Sequence, residues 1–476
     1  MPEAGSQSSG NQSAGDQSAG DHSAGDQSGG AQAGGAEPYD VVIRGGTVVD
    51  ALGERRADVA IRGGEIVAVG LDLAIGAGTT VLDAGGCVVA PGLVDLHTHL
   101  REPGGEIAET VESGTRAAAV GGYTAVVAMP NTEPAIDNAS IVRDVLALGR
   151  TALAQVAVAA AITVGRAGKN LAPMGEIAGL GVHLFTDDGR GVQDAGLMRR
   201  ALEYASDLGV VLAQHCEDAA LAGGGHMHEG AWSSRLGIPG QPAVAEEAML
   251  ARDIALVRET GAPMHFLHLS TAVSAELVRR AKADGLPITA EVTPHHLVLT
   301  DAAVAGYDTA FKVNPPLRTD LDTEALRAAL VEGVVDAVAT DHAPHATVDK
   351  EEPFDLAPFG MTGLETSLAL LHTQSQQEGW PGGPWPLTEL FAAFSWRPAR
   401  IARLDRASGG RQGGPVEPGA AANLVVFDPA EIWTVETSTM ASRSRNTPFA
   451  GMKLTGRVRH TIYEGEAVVV DQQPRR

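Results

Sequence analysis

Eight short apolar segments alternate with helix-like stretches along the middle of the chain, and each segment closes on polar residues. They are VDLHTHL (94–100), YTAVVAMPN (123–131), LAQVAVAAAIT (153–163), VHLFTDD (182–188), VVLAQHCED (210–218), PMHFLHLS (263–270), PITAEVTPHH (287–296) and VDAVATDHAP (335–344). Several intervening stretches, such as EEAMLARDIALVRETG, are rich in Ala, Leu, Arg and Glu and predict crossover helices. Eight buried strands with helical crossovers imply an α/β fold, a (β/α)8 TIM barrel. Such barrels carry their chemistry at the C-terminal strand ends, where polar residues cluster here.

The two ends of the chain read differently. YDVVIRGGTVVD is echoed by DVAIRGGEIVAVG, and the Gly pairs predict tight turns between short strands. Near the C-terminus, ANLVVFD and HTIYEGEAVVVD are again strand-like, with Glu464-Gly465 as a turn. One small β-sandwich built from residues 38–90 and 412–476 accounts for both ends, with the barrel, 91–411, inserted between them. Residues 1–37 are Gly, Ser, Ala, Gln and Asp with a near-repeat, and read as a disordered, solvated tail.

A chain of 476 residues has room for such a barrel and a smaller domain. Its net charge of -24 argues against nucleic acid and against anionic membrane surfaces as partners. Any anionic substrate needs local positive groups working against that field. The 2 cysteines, Cys87 and Cys216, exclude a disulfide framework and point to a reducing, cytoplasmic compartment. The N-terminus lacks a signal-peptide pattern, and the longest apolar run, Leu153 to Val164, is too short to span a bilayer as a helix.

On a strand, residues i and i+2 face the same way, so His97 and His99 converge. An isolated HxH pair is weak, but it has company. Asp188, His215, His268 and Asp341 close four other segments, giving four His and two Asp at five strand ends. That is too many ligand-type residues for one open ion; it suits two ions sharing a bridging carboxylate. Arg101, two residues after His99, carries a planar fork suited to a carboxylate. Asn131 and Asn314 add neutral hydrogen-bonding groups.

APGLVDLHTHLREPG and ATDHAPHATVDK resemble the two signature motifs of dihydroorotases, members of the amidohydrolase superfamily. FTDDG, QHCED, HLST, VTPHHL and KVNPPLR resemble class I members in order and spacing. The resemblance covers nearly everything after the tail. It implies that His97, His99 and Asp341 bind one metal and that His215 and His268 bind a second. The carboxylated lysine that bridges the ions in many relatives has no counterpart in strand 4; an aspartate replaces it, Asp188 rather than Asp187 by spacing and strand parity. Zinc, two ions per subunit, suits the mixed His and carboxylate set. The resemblance further implies that Arg101 and Asn131 hold a substrate carboxylate. Asn314, His345 and the backbone at Phe359-Gly360 would contact substrate, beside His99, and Asp341 would be the catalytic base and acid. The implied reaction is reversible hydrolysis of (S)-dihydroorotate to N-carbamoyl-L-aspartate in de novo pyrimidine synthesis. Expected partners are that small molecule, further copies of the chain and, as a candidate, aspartate carbamoyltransferase.

Other histidines invite blander readings. His183 and His265 fall on the opposite strand parity and read as packing or interface residues. His226 and His228 lie in GGGHMHEG, read as a loop without strand context. His295 and His296 read as support for the site, His342 as lying behind Asp341, and Cys216 as a small buried filler. Residues 345–360 read as a polar loop over the site. Two competitors remain: a hydantoinase, dihydropyrimidinase or allantoinase type of enzyme, and a non-catalytic scaffold for aspartate carbamoyltransferase.

Overall fold

The computed structural model describes residues 39–475, so the tail expected over 1–37 lies outside the described residues. The first strands are β1 (Val41–Arg44), β2 (Thr47–Asp50), β3 (Gly53–Arg56), β4 (Asp58–Arg62), β5 (Glu65–Gly70), β6 (Thr80–Asp83) and β7 (Val88–Pro91). Four of them form one sheet in the order β5-β4-β1-β6.

The echoed Gly pairs do different work. Gly63 and Gly64, at φ +59° and +82°, make the two-residue turn of the β4–β5 hairpin, with Arg62 opposite Glu65. Gly45-Gly46 is not the hairpin turn expected from its composition. β1 pairs with β4 and β6, whereas β2 pairs with β3 and β7, so this pair carries the chain from one sheet to the other. Close approach excludes a side chain there: a Cβ on Gly46 would stand 2.6 Å from Val89 Cγ2.

The barrel strands follow: β8 (Leu93–Thr98), β9 (Tyr123–Ala128), β10 (Gln155–Ala160), β11 (Leu184–Thr186) and β12 (Val211–Gln214). A two-strand excursion, β13 (Met227–His228) and β14 (Gly240–Gln241), precedes β15 (Met264–Phe266), β16 (Ile288–Val292) and β17 (Ala337–Val338). The eight barrel strands are parallel to their neighbours in chain order. Past the end of β17 the circle is completed by a parallel bridge between Thr98 and His342, where His99 N donates to His342 O at 2.9 Å. Helices pack outside; Leu197, Leu250 and Val278 share a core with Phe185, Leu212 and Phe266 of the strands. The longest crossover helix, Val244–Thr260, covers the stretch expected from its composition and stops at Gly261, whose left-handed φ suits a helix C-terminus. Among the described residues, no helix is long and apolar enough to cross a membrane.

The strands are shorter than the apolar segments that announce them. His97 lies within β8, but Asp188, His215, His268 and Asp341 fall just past the ends of β11, β12, β15 and β17. Strand parity therefore does not govern these four. His268 and Asp341 reach the mouth on left-handed backbone, at φ +29° and +46°.

The last strands are β18 (Leu424–Thr434), β19 (Lys453–Tyr463), β20 (Glu466–Val470) and β21 (Gln473–Pro474). They complete a second sheet, β21-β20-β19-β18-β7-β2-β3, so chain start and chain end share one ladder. Glu464 and Gly465, at φ +50° and +82°, turn β19 into β20 as the sequence suggests. Ile43, Val59 and Ile61 of the first sheet pack on Val48, Val89, Leu424 and Ile462 of the second, which makes the small β-sandwich. The connection between β18 and β19 leaves the sandwich. Val435 and Phe449 pack against Val313, Leu317 and Met361 on the barrel side.

Candidate metal centre

Asp188 sits among four buried imidazoles. Its Oδ1 lies 3.4 Å from His97 Nε2, 3.5 Å from His215 Nδ1 and 3.7 Å from His268 Nε2, and its Oδ2 lies 3.7 Å from His99 Nε2. Asp341 Oδ1 is 3.0 Å from His99 Nε2 and 3.5 Å from His97 Nε2. Asp187, one residue earlier, turns away: its Oδ1 accepts from Thr163 N at 3.0 Å and its other oxygen from the Thr163 hydroxyl.

Donors about 2.0–2.2 Å from a tetrahedral ion stand about 3.3–3.6 Å from one another, the separation found around Asp188. Two overlapping triads, His97-Asp188-His268 and His97-His99-Asp341, each bring ligand atoms within 4.8 Å of one another. His97 Nε2, the nitrogen that faces both Asp188 and Asp341, is buried with no hydrogen-bond partner, as expected of a nitrogen shaped for a cation. Electrostatics agree. Burial opposes the charge on His215, yet hydrogen bonds to Asp188 and Glu217 push its pKa up to about 9. Burial likewise disfavours ionised Asp188 and Asp341, but the surrounding imidazoles, His97 foremost, hold both well below the usual carboxylate range. The cluster draws in positive charge, and its residues fit one or more divalent metal ions.

The far nitrogens are held too. His97 Nδ1 lies 3.0 Å from Glu291 Oε1, His99 Nδ1 2.8 Å from Asn131 Oδ1, and His215 Nε2 3.3 Å from Glu217 Oε2. Each acceptor fixes a tautomer and a ring plane, leaving the other nitrogen for a metal. Glu291 also accepts from His265 Nε2 at 3.1 Å, so His265, read as packing, braces the site through Glu291. The sequence expectations omit Glu291 and Glu217. For Glu291 a signal existed, a carboxylate inside the apolar strand ITAEV, since a buried charge needs a partner. Glu291→Gln should keep the fold and weaken divalent-metal affinity about 10- to 100-fold, read by competition with a chromophoric chelator; unchanged affinity would refute this role.

A cavity of about 280 Å³ opens on the cluster. Arg101, Asn131, Asn314, His345, Phe359 and Gly360, all expected at a substrate site, line it together with His99 and Asp341. Arg101 does not continue the strand. β8 has ended at Thr98, and left-handed backbone at φ +61° brings Arg101 round to the cavity. Its Nε donates to Pro344 O at 3.1 Å, and burial lowers its pKa to about 10, so it stays charged at neutral pH. Asn131 is occupied on both arms, accepting from His99 and donating to Asp188 Oδ2 at 3.1 Å. Asn314 donates to Glu217 Oε2 at 2.7 Å, while its buried Oδ1 has no partner. Residues 345–360 are tied down over the cavity: Lys350 Nζ donates to Pro358 O at 2.8 Å and Lys312 Nζ lies over the Phe359 ring.

His226, read as loop polarity, stacks on Phe359 at a centroid separation of 6.3 Å, and His228 belongs to β13. His296 spans Thr293 and Pro315 O, His295 Nε2 is buried and unpartnered, and His342 lies against Glu109. A larger cavity, about 580 Å³, is lined by residues such as Arg116, Glu365 and Trp433 and includes none of the clustered His and Asp residues.

Residues 86–274 match the family model described as dihydro-orotase-like. A dihydroorotase of Pelotomaculum thermopropionicum is 47% identical over 91% of this chain and 99% of its own length. One from Streptomyces coelicolor is 48% identical over 90% of this chain and 98% of its own length. Among solved structures, a D-hydantoinase (dihydropyrimidinase) from Thermus sp. is similar with a TM-score of 0.77 at 27% identity, covering 91% of this chain and 96% of that one. An L-hydantoinase from Arthrobacter aurescens, at 24% identity and a TM-score of 0.81, shares the fold over 92% of this chain and 97% of its own.

Proposed function

The chain belongs to the dihydroorotase family, and on that footing we propose that it reversibly hydrolyses the cyclic amide of (S)-dihydroorotate to N-carbamoyl-L-aspartate. The observation that carries this reading is the convergence of six ligand-type side chains, His215 among them, beneath a cavity walled on one side by Arg101. His97, His99 and Asp341 would hold one zinc ion and His215 and His268 a second, with Asp188 between them. When bound, such ions supply Lewis acidity toward a carbonyl oxygen and acidify water.

The remaining chemistry belongs to side chains. Arg101 pairs with the substrate carboxylate, its planar fork matching the two oxygens. Asn314 Oδ1, buried and unpartnered, offers an acceptor to a ring N–H. His345 and the Phe359-Gly360 backbone bound the space left for the ring. Asp341 accepts a proton from the attacking water as the C–O bond forms. It returns that proton to the ring nitrogen as the C–N bond breaks, acting first as base and then as acid.

A hydantoinase-type activity is the weaker reading. Strand β11 carries no lysine, Arg101 adds a carboxylate-sized anchor, and the dihydroorotase relatives are far more similar in sequence than the hydantoinases. The scaffold reading requires lost ligands, and none is lost. The test is hydrolysis of dihydroorotate, hydantoin and allantoin alongside metal analysis, before and after chelation. Dominant turnover of hydantoin or allantoin without dihydroorotate activity would refute the proposal. The same reading puts the enzyme in the cytoplasm, in de novo pyrimidine synthesis. Self-association and association with aspartate carbamoyltransferase are to be measured by light scattering.

Metal loading should also be pH-dependent. A ligand must shed its proton to bind, and His215 holds one up to about pH 9. Zinc affinity should therefore climb with pH toward 9, with proton release at neutral pH, read by calorimetry in buffers of different ionisation enthalpy. Affinity independent of pH between 6.5 and 9 would contradict it.

A further inference from the structure

Asn446 lies in the connection between β18 and β19, far in sequence from the barrel strands, yet it reaches the barrel mouth and is buried there, 8% exposed. Its Nδ2 donates to Ala343 O at 3.0 Å and to Gly360 O at 3.1 Å. Its Oδ1 accepts from His345 N at 3.1 Å, and its backbone O accepts from Thr362 N at 3.0 Å. Two carbonyls on one arm and an N–H on the other leave a single orientation for the amide. The two segments it joins are in tight contact: a Cβ on Gly360, at φ +131°, would stand 2.6 Å from Ala343 Cβ.

These segments end on the cavity. Ala343 and His345 line it from one segment, and Phe359 and Gly360 from the other. We propose that Asn446 is a positioning residue for substrate binding, a clamp whose amide, beside the direct bonds from His345 Nε2 to Phe359 O at 2.7 Å and from Ala343 N to Met361 O at 2.8 Å, fixes the spacing between the His345 and Phe359-Gly360 walls of the cavity. It touches none of the clustered metal-facing side chains, so its effect falls on substrate fit and not on metal loading. The inference rests on the dihydroorotate reading for its substrate, but the clamp itself is defined by backbone groups. Such preorganisation matters because a wall left free to drift must be ordered again at each binding event.

The test uses the full-length, zinc-loaded protein and the near-isosteric Asn446→Asp. A carboxylate keeps the acceptor for His345 N but faces two carbonyl oxygens with nothing to donate. The expected result is a KM for dihydroorotate raised about tenfold or more, as suits the loss of two hydrogen bonds, with kcat within about threefold and zinc content unchanged. Hydrogen exchange at the Ala343 amide, which donates to Met361 O across the two segments, should speed up in parallel as they loosen, whatever the substrate. A KM rise smaller than about threefold in the folded variant would overturn the clamp, as would a fall in zinc content that accounts for the loss. A merely structural asparagine would lower the melting temperature and leave KM alone. If Asn446→Asp does not fold, Asn446→Ser, which retains one short donor, is read against the same limits. If the unsubstituted protein fails to turn over dihydroorotate, the substrate reading falls, and the exchange measurement alone then decides the clamp.

Discussion

Asp341→Asn should give a folded, soluble protein with kcat for dihydroorotate reduced about 10³-fold or more, since base catalysis alone is worth about 10²–10⁴. The substitution is nearly isosteric and keeps an oxygen toward His99 Nε2, now 3.0 Å from Asp341 Oδ1. It removes the ability to take a proton from water and give it to the leaving nitrogen. It also removes the negative charge that makes the His97-His99-Asp341 triad a cation site. Circular dichroism and a thermal melt establish folding, and a coupled spectrophotometric assay gives the rate. Turnover within about tenfold of the unsubstituted enzyme would show that the proton is handled elsewhere.

Asp188→Ala is expected to be as damaging by a different route. It removes the one carboxylate that faces all four imidazoles, so zinc content should fall along with activity. The metal-free protein gives a second readout. His215 has a folded pKa near 9 against an ordinary 6.5, a raised value. Its contribution to stability is thus fully present below about pH 6.5 and lost as pH rises through about 9. Without Asp188 the chief hydrogen bond behind that shift is gone, so the metal-free variant should melt with a flatter pH dependence over that window. Asp187→Asn is the matched control. Asp187 is bound to Thr163, so its loss should lower the melting temperature while leaving zinc stoichiometry intact. Equal zinc content in Asp188→Ala and the unsubstituted protein would rule out Asp188 as a ligand.

Much of this site is legible in the sequence because barrels repeat. A ligand-type residue at the close of one apolar segment says little; six of them at five such closures say a great deal. Asp188 could be preferred to Asp187, and the structure turns the former toward the imidazoles and the latter toward Thr163. Less legible was anything set by a loop. Arg101 was expected to follow strand alternation, but the strand ends three residues earlier and the left-handed backbone does the turning. Gly45-Gly46 and Gly63-Gly64 have the same local sequence, yet one switches sheets and the other closes a hairpin; only pairing partners far along the chain separate them. Glu217 offered no signal, because an exposed loop carboxylate and one that orients a histidine are written with the same letter. Asn446 was equally silent, its partners lying about a hundred residues away.

The pairing of β7 with β18 in one ladder has a consequence for biogenesis. During synthesis the strands that precede the barrel must wait for those that follow it before their sheet can close. Asn446, which joins the two walls of the cavity, is translated only after every barrel strand. A nascent chain released early would carry all six metal-facing side chains and still lack a finished pocket.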